Sequence, residues 1–209
     1  MKPPATGSVG VAAWLVLALA AGAEESSPTV VVGRLNEALV GVLKDADALG
    51  YAGRVARLTP AVSEAYDIPF MAEKSLGRRW KTLSEAERGR WIELSREFSV
   101  ANYAANFDHF SGQTIEVLGT QTGAANTVIV QTRIVDPAAE STLMSYRLHR
   151  RAGGWKIIDV YLRGTVSELA LRRSDYASVL EREGFDALVA TMRARIADLA
   201  AGRGRRRGS

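Results

Sequence analysis

Two histidines, one strand-borne aspartate and a cluster of arginines are the side chains in this 209-residue sequence whose types and positions could do chemistry. His109 falls near the end of a long helical segment, and His149 lies in a strand-like segment on the parity of Leu143, Ser145 and Arg147. Neither stands at a metal-ligand spacing such as His-x-x-x-His, and no Gly-x-Ser-x-Gly elbow or phosphate-cradling glycine loop occurs. Both read first as surface or hydrogen-bonded structural residues. Asp159, between Ile158 and Val160, is more informative, because a carboxylate on such a strand is partly buried and needs a partner. Arg172 or Arg173 could supply one, which makes a structural ion pair the plainer reading. The sharper reading makes Asp159 a general base in a cone-shaped pocket, as in sheet-and-helix isomerases, although no oxyanion donor can be nominated beside it. The sequence contains no cysteine, which removes disulfides, thiolate metal sites, a cysteine nucleophile and a lipid-bearing cysteine.

The arginines raise a different possibility. With 27 Lys+Arg against 23 Asp+Glu the net charge is +4 and the calculated pI about 9.6, values that invite a nucleic-acid partner. Arg203, Arg205, Arg206 and Arg207 crowd one end, however, and without them and Lys2 the acidic and basic residues nearly balance. No nucleic-acid surface is expected. Residues 201–209 read as a basic flexible tail, each cation of which would be worth on the order of 1 kcal/mol near an anionic membrane.

The elements that must position any site follow from hydropathy. Residues 1–23 carry Lys2, an apolar run from Val9 to Ala21 and small residues before Glu24, the layout of a cleaved secretory signal peptide. The run is too short to cross a bilayer core, which needs roughly 20 residues. A short linker, 24–28, leads to a domain over 29–200. Its 47% apolar content suits a chain that folds around a core. Val31, Leu35, Leu39, Val42 and Ala46 recur at helical spacing. Pro60 and Pro69 predict short helices meeting at angles between Tyr51 and Phe70. Ser84 and Glu87 form a capping box that opens a long helix carrying Trp91, Leu94, Phe98, Ala101 and Ala105.

From Gln113 the pattern turns to strands: Thr114 to Leu118, Thr127 to Val135, Thr142 to Arg150 and Trp155 to Leu162, with turn residues between them. Helical spacing returns from Tyr176 to Leu199, with a break at Gly184. The fold class is therefore α+β, an antiparallel sheet of about four strands wrapped by helices on one face. Trp80, Trp91, Phe98, Tyr103, Phe107, Tyr146, Trp155 and Tyr161 are individually ordinary core residues. Together they permit an apolar cavity between sheet and helices.

Gly77-Arg78-Arg79-Trp80, the stretch from Phe98 to Tyr103, Tyr146-Arg147-Leu148 and Gly154-Trp155-Lys156-Ile157-Ile158-Asp159-Val160 followed by Gly164 resemble the MlaC family, also called the toluene-tolerance auxiliary proteins. Arg173-Ser174-Asp175-Tyr176 and Gly184-Phe185-Asp186-Ala187-Leu188 are similar to that family's closing segment, so the resemblance runs from about Val31 to Leu199. It implies a periplasmic carrier that holds a membrane lipid between sheet and helices and passes it between membranes. The implied partners are an inner-membrane ABC transporter with an MCE-domain subunit and an outer-membrane acceptor or donor. Phe98 to Phe107 looks more like the hopanoid-associated HpnM branch, and the segment from Gly164 to Arg173 is one residue longer than in the phospholipid carriers. Both a hopanoid-like polycyclic lipid and a phospholipid are thus open as the ligand.

No enzyme activity and no cofactor beyond the bound lipid are called for, because burying chain carbons at about 0.8 kcal/mol per CH₂ suffices to hold a lipid. The expected lining is Trp80, Phe98, Tyr103 and Phe107 from helices, with Val128, Val130, Met144, Tyr146, Ile158 and Val160 from strands. A shift of strand parity by one residue would exchange the faces. An enzyme using Asp159 and a ligand-free periplasmic adaptor remain the alternatives.

Overall fold

The computed structural model describes residues 27–203, so the signal-peptide segment 1–23, most of the linker and tail residues 204–209 lie outside the described residues. Ser27, placed by the sequence in the linker, is the N-cap of helix α1 (Pro28–Lys44), its Oγ accepting from Val30 N at 3.2 Å. Pro28 occupies the first turn, where no backbone donor is missed. Helix α2 (Ala46–Ala65) bends at Gly50, whose φ of 57° and ψ of −177° break the helical path. The break expected at Pro60 does not occur. Pro60 sits inside α2 without ending it, whereas Pro69 opens α3 (Ile68–Leu76), capped by Asp67. A 3₁₀ turn (Gly77–Thr82) leads to the long α4 (Glu85–Asn106). The expected capping box is present: Glu87 N donates to Ser84 Oγ, and Ser84 N donates to the Glu87 carboxylate.

The strands β1 (Thr114–Thr122), β2 (Val128–Val135), β3 (Thr142–Arg151) and β4 (Gly154–Leu162) form the expected antiparallel meander in sequence order. A two-residue β5 (Val166–Ser167) adds a fifth strand before α5 (Glu168–Arg182) and α6 (Phe185–Ala200). Ala125 and Asn126, both with φ above +50°, make the tight turn between β1 and β2.

Two large apolar bodies, with a smaller one of Ala101, Ala105 and Leu199 between α4 and α6, hold these elements together. In the first, α1, α2 and the end of α4 lie across one face of the sheet, burying Val32, Leu35, Leu39, Leu58, Val130 and Tyr146. In the second, α3, α4, α5 and α6 enclose Trp91, whose indole Nε1 donates to Ser75 Oγ at 3.2 Å and whose ring meets Tyr176 edge-on at 5.2 Å. No helix among the described residues is long and apolar enough to cross a membrane.

Candidate functional site

The layer between the sheet and α1, α2 and α4 gathers most of the expected lining. Val130, Met144, Tyr146 and Val160 alternate onto the sheet face that the helices cover, and Phe107 joins them from the end of α4. Tyr103 packs against the same body. Val128 shares the parity of Val130, half-buried at the start of β2. Trp80 and Phe98 go elsewhere: both pack against the helical body around Trp91.

Ile158 departs from the expected parity for a local reason. The β3–β4 register steps from Arg147 opposite Asp159 to Leu148 opposite Ile157, so a bulge leaves Ile158 without a cross-strand partner. Ile157, not Ile158, therefore enters the sheet–helix layer with Val160. Simple alternation along the sequence could not reveal the extra residue.

Sequence reasoning also missed Tyr66, the residue that closes α2. Its phenol hydroxyl meets that of Tyr103, the two rings tilted with centroids 6.3 Å apart. The Tyr103 ring lies 5.7 Å from Phe107, and the nearby Tyr146 hydroxyl donates to Met144 Sδ at 3.8 Å. The Tyr66 and Tyr103 phenols thus satisfy one another inside an apolar layer, and Tyr146 finds a sulfur acceptor on its own strand. Burial pushes the pKa of each upward, most of all Tyr66 and Tyr146, so all three stay neutral hydrogen-bonding groups at ordinary pH. The Arg172 guanidinium lies 4.9 Å over the Phe98 ring and opposes that rise for Tyr66 and Tyr103.

The titratable residues singled out in the sequence have structural partners. Asp159 is 6% exposed, but neither arginine pairs with it. Its Oδ1 accepts from Val160 N at 2.8 Å and from Leu169 N at 3.1 Å, and its Oδ2 from Ser167 Oγ at 2.6 Å. The carboxylate joins β4 to the first turn of α5, where a negative charge also suits the helix dipole. Arg173 packs instead against Gly77, its guanidinium 3.1 Å from where a Cβ would stand. His149 Nε2 is 2.8 Å from Asp67 Oδ2, which also accepts from Arg151 Nε at 2.8 Å. Burial alone would raise the Asp67 pKa, yet bonds from Arg151, Phe70 N and His149 hold it below the usual value. His109 is exposed beyond the end of α4.

On the flank of the layer a groove of about 330 Å³ runs between α1, α2 and the β3–β4 hairpin. Leu35, Ala61 and Trp155 form its apolar wall, and Arg34 and Lys156 stand at it with Glu64. What the arrangement can do is shelter apolar matter beside a charged rim, in which Arg34 pairs with Glu64 at 3.6 Å and Lys156 Nζ donates to Glu64 O.

The family model described as MlaC protein matches residues 34–194. The chain belongs to the MlaC family. It is 23% identical over 130 residues to the intermembrane phospholipid transport system binding protein MlaC of Haemophilus influenzae, a match spanning 60% of this chain and 60% of that relative. The fold is also that of a phospholipid-binding protein from Ralstonia solanacearum, solved in complex with a phospholipid. The superposition has a TM-score of 0.72 at 18% identity and covers 84% of this chain and 99% of the other. The matched span includes every strand of the sheet, α2 and α4, and α1 from Arg34 onward.

Proposed function

We propose that this MlaC-family chain carries a membrane lipid through the bacterial periplasm, with the lipid's hydrocarbon held between the sheet and helices α1, α2 and α4. The observation that carries this reading is the apolar layer bounded by Val130, Met144, Tyr146 and Val160 on the sheet and by Leu35, Leu39, Tyr103 and Phe107 on the helices. A solved relative of the same fold holding a phospholipid supports it. Loading parts α1 and α2 from the sheet along the groove at Leu35 and Trp155, since the layer is already packed with side chains. Each methylene taken from water contributes about 0.8 kcal/mol, which offsets the cost of parting helices from sheet.

The ligand in this reading is a phospholipid. A hopanoid-like polycyclic lipid is the second candidate, favoured by the Phe98 to Phe107 stretch of α4. Delivery is to or from an inner-membrane ABC transporter with an MCE-type subunit, with an outer-membrane counterpart, after export through residues 1–23. Asp159, engaged by three structural donors, favours a carrier over an enzyme using it as a base.

Native mass spectrometry of the protein purified from a bacterial host, with mass analysis of an organic extract, tests the proposal. One stoichiometric lipid is expected, and its mass separates the two ligand classes. Val130→Trp, which fills the middle of the layer, should lower occupancy while the circular dichroism spectrum stays native. A natively folded wild type that never carries lipid would overturn the carrier reading.

A further inference from the structure

Among the described residues, Asn36, on the buried face of α1, is a polar side chain that the fold leaves unserved. It lies on α1 one turn from Val32 and Leu39, both fully buried against the sheet body, and is itself 5% exposed. Neither its Nδ2 nor its Oδ1 has a hydrogen-bond partner among the described residues. An amide brings two donors and an acceptor with two lone pairs, and buried polar groups are nearly always paired. Neighbouring buried polar groups follow that rule. Thr132 Oγ1 donates to Met144 O, Arg54 donates to Ala104 O and Ala46 O, the Tyr66 and Tyr103 hydroxyls bond each other, and the Tyr146 hydroxyl donates to Met144 Sδ.

A leucine at position 36 would suit this helix face better in the ligand-free chain, so the amide answers something other than packing. We infer that the Asn36 Nδ2 donates to a carbonyl oxygen of the bound lipid, an acyl ester, and makes the site prefer ester-linked chains. The inference rests on the lipid-carrier reading above. An ester is the polar group of a phospholipid that enters furthest with the chains, and its carbonyl is an acceptor only. It therefore matches a donor held on the buried face of α1. Discrimination of this kind is strong because an analogue lacking the acceptor leaves the buried donor unpaired.

The test uses the full chain incubated with vesicles containing equal amounts of a diacyl phosphatidylglycerol and its diether analogue of the same chains. The protein is re-isolated, and bound lipid is read by native mass spectrometry. The wild type should be enriched in the diester by about tenfold, the order expected for one buried hydrogen bond. Asn36→Leu should load both lipids equally while its melting temperature stays at or above that of wild type. Asn36→Ala serves the same comparison, and the wild-type ratio stands by itself whichever variant folds. A wild-type ratio near one, as when a buried water serves the amide, would overturn the inference while leaving the carrier intact. So would an unchanged diester preference in Asn36→Leu. Uptake of neither lipid would overturn the carrier reading and this inference with it.

Discussion

Replacing Asp159 by alanine and by asparagine separates a structural carboxylate from a chemical one. The carboxylate accepts three bonds, two from the backbone N–H groups of Val160 and Leu169 and one from the Ser167 hydroxyl. Hydrogen bonds to a charged acceptor are each worth about 1.5–3 kcal/mol, and bonds to one carboxylate are not additive. Asp159→Ala removes all three and leaves donors near the start of α5 without their acceptor, so a loss of about 3–5 kcal/mol is expected. For a chain of this size that lowers the melting temperature by roughly 10 °C. Asparagine keeps Oδ1 for both N–H groups and can turn Nδ2 toward Ser167 Oγ, so Asp159→Asn should cost only about 1 kcal/mol. Thermal and urea unfolding followed by circular dichroism measure both variants, and lipid loading of Asp159→Asn should match wild type. An alanine variant as stable as wild type would refute the reasoning, because three bonds to a buried charge cannot vanish without cost.

Two further outcomes follow from the same partners. The Asp67 pKa is lowered in the folded protein, so its bonds to His149, Arg151 and Phe70 N contribute fully above the ordinary carboxylate value of 3.8 and fade as pH falls through the lowered one. Urea midpoints should therefore separate wild type from Asp67→Asn at neutral pH and converge as pH falls through the lowered Asp67 pKa; a gap that persists in acid would contradict this linkage. Arg54, 6% exposed inside α2, gives its Nε to Ala104 O and its Nη1 to Ala46 O, tying the end of α4 to the start of α2. Arg54→Met should cost about 2–4 kcal/mol in urea unfolding, with partial recovery in Arg54→Lys, which can serve one carbonyl; equal losses in both would point to packing of the side chain in place of its hydrogen bonds.

Local rules explain why so much of this architecture is legible in the chain. The Ser84–Glu87 box, the Pro at position 69 and the β2 and β3 alternation act within a few residues, so periodicity and capping chemistry read them correctly. Where two local rules compete, spacing misleads. Pro60 is tolerated inside α2, while the actual bend falls at Gly50, whose positive φ costs glycine little. The candidate site is legible for the same reason on β2 and β3, where strict alternation assigns Val130, Met144 and Tyr146 to one face. On β4 a single inserted residue reverses the assignment for Ile158, because the period of two has no memory of a bulge.

By itself, then, the sequence determined the α+β order of elements, the capped start of α4 and the parity of two central strands, since each depends on neighbours within a turn or a pleat. The tertiary structure alone decided the partners. Asp159 found Ser167 and the N–H of Leu169 in place of the arginines. Tyr66 met Tyr103 across 37 residues, Phe98 turned to the helical body under Arg172, and Asn36 was buried without a partner. Such pairings depend on how rigid elements pack, which sets distances between residues far apart in the chain and cannot be read from spacing along it.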